Sequence, residues 1–138
     1  MVHQETISIA TCGRSIIDIS SNTEMIVSRS GIKTGICNLF IQHTSASLFI
    51  NENADPTVRH DLERFMSRLV VDGDPIFKHT DEGDDDMAAH IRSLLTATSM
   101  TIPIANGRCA FGTWQGIFLW EHRTSSHTRY ICCTLIGE

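Results

Sequence analysis

The sequence predicts an α+β fold, a mainly antiparallel sheet with helices segregated from it, and three observations carry that reading. The patterned segments run β, α, β, β, α, α and then several β, without the strict alternation that a doubly wound parallel sheet demands. No glycine-rich phosphate loop of the GxGxxG or GxxxxGKS/T kind follows any strand-like segment. From Met100 onward the chain reads as strands punctuated by turn residues, an antiparallel signature.

Each element has its own local cause. His3 to Ala10 alternates with period two and is rich in β-branched residues, which predicts a first strand, and Ser15 to Ile19 continues or returns it. Ser20, Ser21 and Asn22 offer capping oxygens ahead of Met25, Ile26 and Val27, and Gly31 stands where a helix ends, so a short helix spans about Ser21 to Ser30. Ile36 to His43 and Ser47 to Asn51 are strands joined through HTSAS. Asp55 followed by Pro56 starts a helix that Val58, Leu62, Phe65, Met66 and Leu69 continue to about Val70. Asp72 to Pro75 turns the chain. A third helix begins near Asp84 or Asp85, with Met87, Ile91, Leu94 and Leu95 as its apolar stripe. Strands follow at Met100–Ile104, Arg108–Phe111, Gly116–Glu121 and Tyr130–Ile136, the first two joined by a turn at Asn106 and Gly107.

Length and composition fit one domain over residues 1–138. A chain of 138 residues buries roughly two-thirds of its unfolded surface, and neither repeats nor a long linker divide it. The formal charge of −5, with 11 Lys and Arg scattered along the chain, disfavours nucleic acid. No apolar run is long enough to span a bilayer, which leaves no membrane partner expected, and MVHQETISIA lacks a basic start and apolar stretch. Five cysteines without CxxC spacing suggest neither a disulfide framework nor a zinc ribbon, and the expected compartment is the cytoplasm.

Three polar blocks stand against this bland background. They are His43 with Thr44, Ser45 and Ser47; His79 through Asp86 with His90; and Glu121, His122 and Arg123. In HTDEGDDDMAAH, five carboxylates fall within six positions at a helix start. Helix capping uses one or two of them; five like charges repel unless water or a cation screens them. A hard ion such as Mg²⁺ suits the carboxylates, and the flanking His79 and His90 equally suit Zn²⁺, so a divalent metal of either kind is expected. Arg123 beside His122 suits phosphate oxygens. The two glycines around Trp114 and Gln115 in GTWQG mark a backbone that passes close to a ligand or a neighbouring subunit.

Taken together, HTSASLFINENADPTVRHDLERF, HTDEGDDDMAAHI and MTIPIANGRCAFGTWQGIFLWEHR resemble, in order and spacing, the YjbQ-type family, also called the secondary thiamine-phosphate synthase family. The resemblance runs from about Thr6 to Glu138. It implies a compact β-sandwich-like domain assembled as a homotrimer, with a metal- or anion-binding site. Some members are thiamine-phosphate synthases, joining a pyrimidine diphosphate to a thiazole phosphate. On that basis a metal-assisted enzyme acting on a small phosphorylated metabolite is expected. His43, Glu52 and His122 are its catalytic candidates, and Thr44, Asn51, Gln115 and Arg123 bind substrate or phosphate. His79, Asp81, Glu82, Asp86 and His90 bind metal. A non-catalytic trimeric protein that holds a metal-bound phosphometabolite, and a metal-dependent phosphate-ester hydrolase, draw on the same residues.

Overall fold

In the computed structural model, which describes Met1–Glu138, eleven elements follow one another. They are β1 (Val2–Cys12), β2 (Ser15–Asp18), α1 (Ser20–Ser30), β3 (Gly35–Ile41), β4 (Ala46–Glu52), α2 (Pro56–Leu69), α3 (Asp84–Leu95), β5 (Ser99–Ala105), β6 (Arg108–Cys109), β7 (Gln115–Glu121) and β8 (Ser126–Gly137). All strand pairs are antiparallel. One sheet has the order β1-β8-β3-β5-β6 and the other β2-β7-β4. The α+β class with three helices is therefore what the chain adopts.

Local chemistry explains most boundaries. Asp55 Oδ1 accepts the Thr57 amide at 2.9 Å and Pro56 fills the first helical position, so α2 begins where a capping carboxylate and a proline agree. Gly31 closes α1 in the left-handed region at φ 74°. Asn106 and Gly107, at φ 54° and 75°, form the two-residue turn that pairs Ala105 with Arg108. Opposite each other on β3 and β8, Gly35 and Gly137 let the two backbones close up. A methyl on Gly35 would fall on the Ile136 carbonyl oxygen.

Two expectations change. β2 does not continue or return β1. It pairs with β7 in the other sheet, Ser15 opposite Glu121 through Asp18 opposite Phe118. β8 starts at Ser126, four residues before the expected strand, because the polar stretch Ser126–Arg129 pairs with Ile9–Cys12 of β1.

The main core joins side chains of both sheets, including Ile7, Leu39, Leu48, Ile117, Leu119 and Ile131, with Ile26 and Val27 of α1. A second cluster of Met66, Val70, Ala88 and Trp120 gathers α2 and α3 on the opposite side of β7. Arg92 fixes α3 against α2. Fully buried, its guanidinium donates to both Glu63 oxygens at 3.1 and 2.9 Å and to Ser67 Oγ at 3.1 Å. Trp120 Nε1 donates to the same Glu63. This anchoring sets where the start of α3, and the carboxylates on it, sit relative to the sheet. No helix is long and apolar enough to cross a membrane.

Candidate metal centre

The first turn of α3 carries Asp84, Asp85 and Asp86, where the helix macrodipole favours negative charge. The three point different ways. Asp84 is exposed. Asp85 accepts Arg123 Nε at 2.8 Å and the Thr124 amide at 2.9 Å. Burial alone would push the Asp85 carboxyl up, but the Arg123 bond and the Thr124 amide outweigh it and hold it at about 2.

Asp86 turns inward and is 1% exposed. Its Oδ2 lies 2.7 Å from His79 Nε2 and 3.4 Å from His90 Nε2, and its Oδ1 lies 3.1 Å from Arg123 Nη1. Burial acts against its ionised form, yet His79, His90 and Arg123 together keep its carboxyl below the ordinary range. One ligand atom from each of His79, Asp86 and His90 falls within 4.8 Å of the others. The helix supplies half of this geometry, since residues four apart share a face. His79 arrives from the preceding loop and is half exposed, which leaves the trio open to solvent.

His90 is oriented by the connection between β3 and β4. Its Nδ1 lies 3.1 Å from the Thr44 carbonyl, and because a carbonyl only accepts, Nδ1 carries the proton. That leaves Nε2 as the ring atom facing Asp86 and His79. A carbonyl held by the far ring nitrogen is the usual device that fixes a metal-binding imidazole.

The remaining expected residues distribute differently. Asp81 and Glu82 are exposed on the turn before α3, and Glu82 contributes its backbone carbonyl to Arg123 Nη2 at 2.9 Å. Arg123, expected to bind phosphate, has its guanidinium committed to Asp85, Asp86 and that carbonyl. His122 is fully buried, with Nε2 2.8 Å from Ser47 Oγ and Nδ1 without a partner. His43 has both ring nitrogens against donors: Nε2 accepts the Tyr130 amide at 2.8 Å, and Nδ1 faces Arg129 Nη1 at 3.3 Å. Burial first, then Arg129, lowers its pKa.

Asn51, Glu52 and Gln115 lie at the far end of the β4–β7 ladder, where Glu52 pairs with Gln115. Their side chains shape turns: Glu52 accepts the Asp55 amide at 3.1 Å, Asn51 the Glu52 amide at 2.7 Å and Gln115 the Gly112 amide at 2.8 Å. They stand at the other end of the seven-residue β4, roughly 20 Å long, from the end near His90.

Two groups escaped the sequence reading. Arg129 forms a buried pair with Glu121, and Arg92 forms the one with Glu63. Arg129 has the inward parity of Ile131, Cys133 and Leu135, a signal that was present in the period of β8.

Burial, with Arg92, Arg14 and Arg129 nearby, lowers the pKa of His122 to about 3. The unfolded chain takes up this proton near pH 6.5 and the folded protein does not. His122 therefore costs nothing at pH 7, and stability falls as pH drops from about 6.5 toward 3. Denaturant titrations at pH 7 and pH 5 are expected to differ by about 1 to 2 kcal/mol through this group, and His122→Gln to remove that share of the difference.

The chain matches the family model described as UPF0047 protein YjbQ-like over residues 5–138. It is 52% identical over 136 residues to UPF0047 protein sll1880 of Synechocystis, covering 99% of this chain and 92% of the relative. To YjbQ of Escherichia coli O157:H7 it is 42% identical, covering 100% of both chains. Among solved structures, an uncharacterized YjbQ/UPF0047 family protein of Clostridium acetobutylicum superposes with a TM-score of 0.88 at 33% identity, covering 96% of this chain and 99% of that one. A protein of unknown function from Sulfolobus solfataricus does so with a TM-score of 0.86 at 27% identity, covering 100% of both chains. Relatives described as uncharacterized or of unknown function overturn the expected activity. Neither thiamine-phosphate synthesis nor any other metal-assisted reaction on phosphorylated molecules is carried by this likeness, and Arg123, the expected phosphate ligand, is spent on Asp85 and Asp86. What the matched length and identities establish is membership: the chain belongs to the UPF0047 YjbQ-like family.

Proposed function

We propose that the protein binds a divalent transition metal ion, zinc being the best match, through His79 Nε2, Asp86 Oδ2 and His90 Nε2. The observation that carries this reading is the convergence of the three atoms within 4.8 Å, with His90 already held in the tautomer a metal requires. Two imidazoles and one carboxylate favour a borderline ion over magnesium, which prefers an all-oxygen shell. A cation binding these atoms displaces the proton that His79 shares with Asp86. Arg123 keeps Asp86 Oδ1 engaged, so Oδ2 is the oxygen turned toward the ion. Calorimetric titration is the test. Zinc is expected to bind at one ion per chain and to raise the unfolding temperature, with magnesium at equal concentration much weaker. Equal affinity for the two ions contradicts the reading.

The sandwich-like packing and trimeric assembly implied by the family resemblance belong to the same proposal. An exposed apolar row on the outer face of the five-stranded sheet supports the assembly: Val2, Ile136 and Ile36 stand side by side on β1, β8 and β3. Surfaces of this kind mark contact sites. Light scattering is expected to give three times the chain mass of 15.4 kDa, and a monomer contradicts it.

A further inference from the structure

A cavity of about 510 Å³ opens beside the proposed metal centre, between the end of β3 and the last turns of α3, with His90 in the wall between them. Its apolar surface comes from Phe40, Ile41 and Leu94, and Gln42, Thr44 and Thr98 supply the polar edge. No Lys, Arg, Asp or Glu lines it. The side chains of Gln42, Thr44 and Thr98 make no hydrogen bond within the chain, while Ser93 Oγ in the same wall is buried without a partner. His43, which also lines the cavity, accepts the Tyr130 amide at Nε2 and turns Nδ1 toward the Arg129 guanidinium at 3.3 Å.

These walls select by charge. A phosphate or carboxylate brought against these walls gives up part of its water without gaining a Lys or Arg of the lining, and an ammonium gains no carboxylate. An uncharged group loses less, because an amide and hydroxyls, each able to donate and accept, are free to receive it. We propose that this cavity binds an uncharged small molecule with a flat apolar body against Phe40 and Leu94 and a hydrogen-bonding end at Gln42, Thr44 and Thr98. The size fits, since small-molecule sites occupy roughly 300 to 1,000 Å³. The proposal goes beyond metal binding and rests on these walls alone.

Benzamide, benzoate and phenyl phosphate share one ring and differ in charge, so they serve as probes. Each is titrated into the full-length protein, metal-free and zinc-loaded, while the amide resonances of residues 40–44 and 93–98 are followed by NMR. Benzamide is expected to shift these resonances in the metal-free protein, with the two anions at least about tenfold weaker. Leu94→Lys places a cation in the wall at a residue that is 82% exposed, so the fold should tolerate it. That variant should gain benzoate affinity and keep or lose benzamide affinity, with its oligomeric mass checked alongside. Phenyl phosphate or benzoate binding the metal-free wild type as tightly as benzamide overturns the proposal, as does benzamide leaving these resonances unmoved. Failure of zinc to bind leaves the metal-free arm intact, so the two ideas fail separately.

Discussion

Arg129→Met is expected to lower the unfolding free energy by about 3 to 5 kcal/mol. The reason is the company Arg129 keeps. At 3% exposure, its Nε donates to Glu121 Oε1 at 2.8 Å and its Nη2 to Glu121 Oε2 at 2.5 Å, and Nη2 reaches Ser45 Oγ at 2.9 Å. Glu121, fully buried, also accepts Thr11 Oγ1 at 2.6 Å and the Arg123 amide at 3.1 Å. Burial alone would push the Glu121 carboxyl up; Arg129 and Thr11 bring it below the usual range. Deleting the arginine strands an ionised carboxylate where water cannot reach it. Removing both charges, as Arg129→Met with Glu121→Gln, is expected to recover a large part of the loss. Denaturant unfolding reads both results. A single-variant loss below about 1 kcal/mol would show that the pair is not the buried tie between the sheets that its geometry describes.

Asp86→Asn is expected to weaken zinc binding by roughly 100-fold or more while leaving the fold close to intact. The amide keeps the shape but loses the charge that the cation and Arg123 both address, and supporting residues one shell further out already account for 10- to 100-fold effects. Asp84→Asn removes a charge from the same helical turn at an exposed position and is expected to leave affinity nearly unchanged. The pair of variants separates a ligand from a general electrostatic contribution. Similar losses in both would mean that the acidic turn attracts cations diffusely.

The sequence was informative where the cause of structure is local. Asp55 with Pro56, Asn106 with Gly107, and Gly31 each declare a boundary through their own backbone chemistry, and all three stand where that chemistry places them. Which sheet a strand joins is decided by pairing across the chain, and for that reason β2 was misplaced beside β1. The first third of β8 was hidden because its inward residue there is Arg129, an ion whose partner Glu121 sits eight positions away on another strand.

The site divides along the same line. The spacing of Asp86 and His90 puts them on one helical face, and His79 joins them from the adjoining loop. Nothing local showed that His122, just past the end of β7, is fully buried, or that Asn51 and Glu52 stand a strand's length from His43 and Thr44. Nor could spacing reveal that Arg123 is held by Asp85 and Asp86, two carboxylates that lie more than thirty residues before it in the chain.

X-ray absorption at the zinc edge, on protein loaded with one equivalent, tests the central claim most directly. Two imidazole nitrogens and a carboxylate oxygen at about 2.0 to 2.2 Å are predicted, with one imidazole lost in His90→Ala. A shell of oxygens alone, or a spectrum that His90→Ala leaves unchanged, would contradict it.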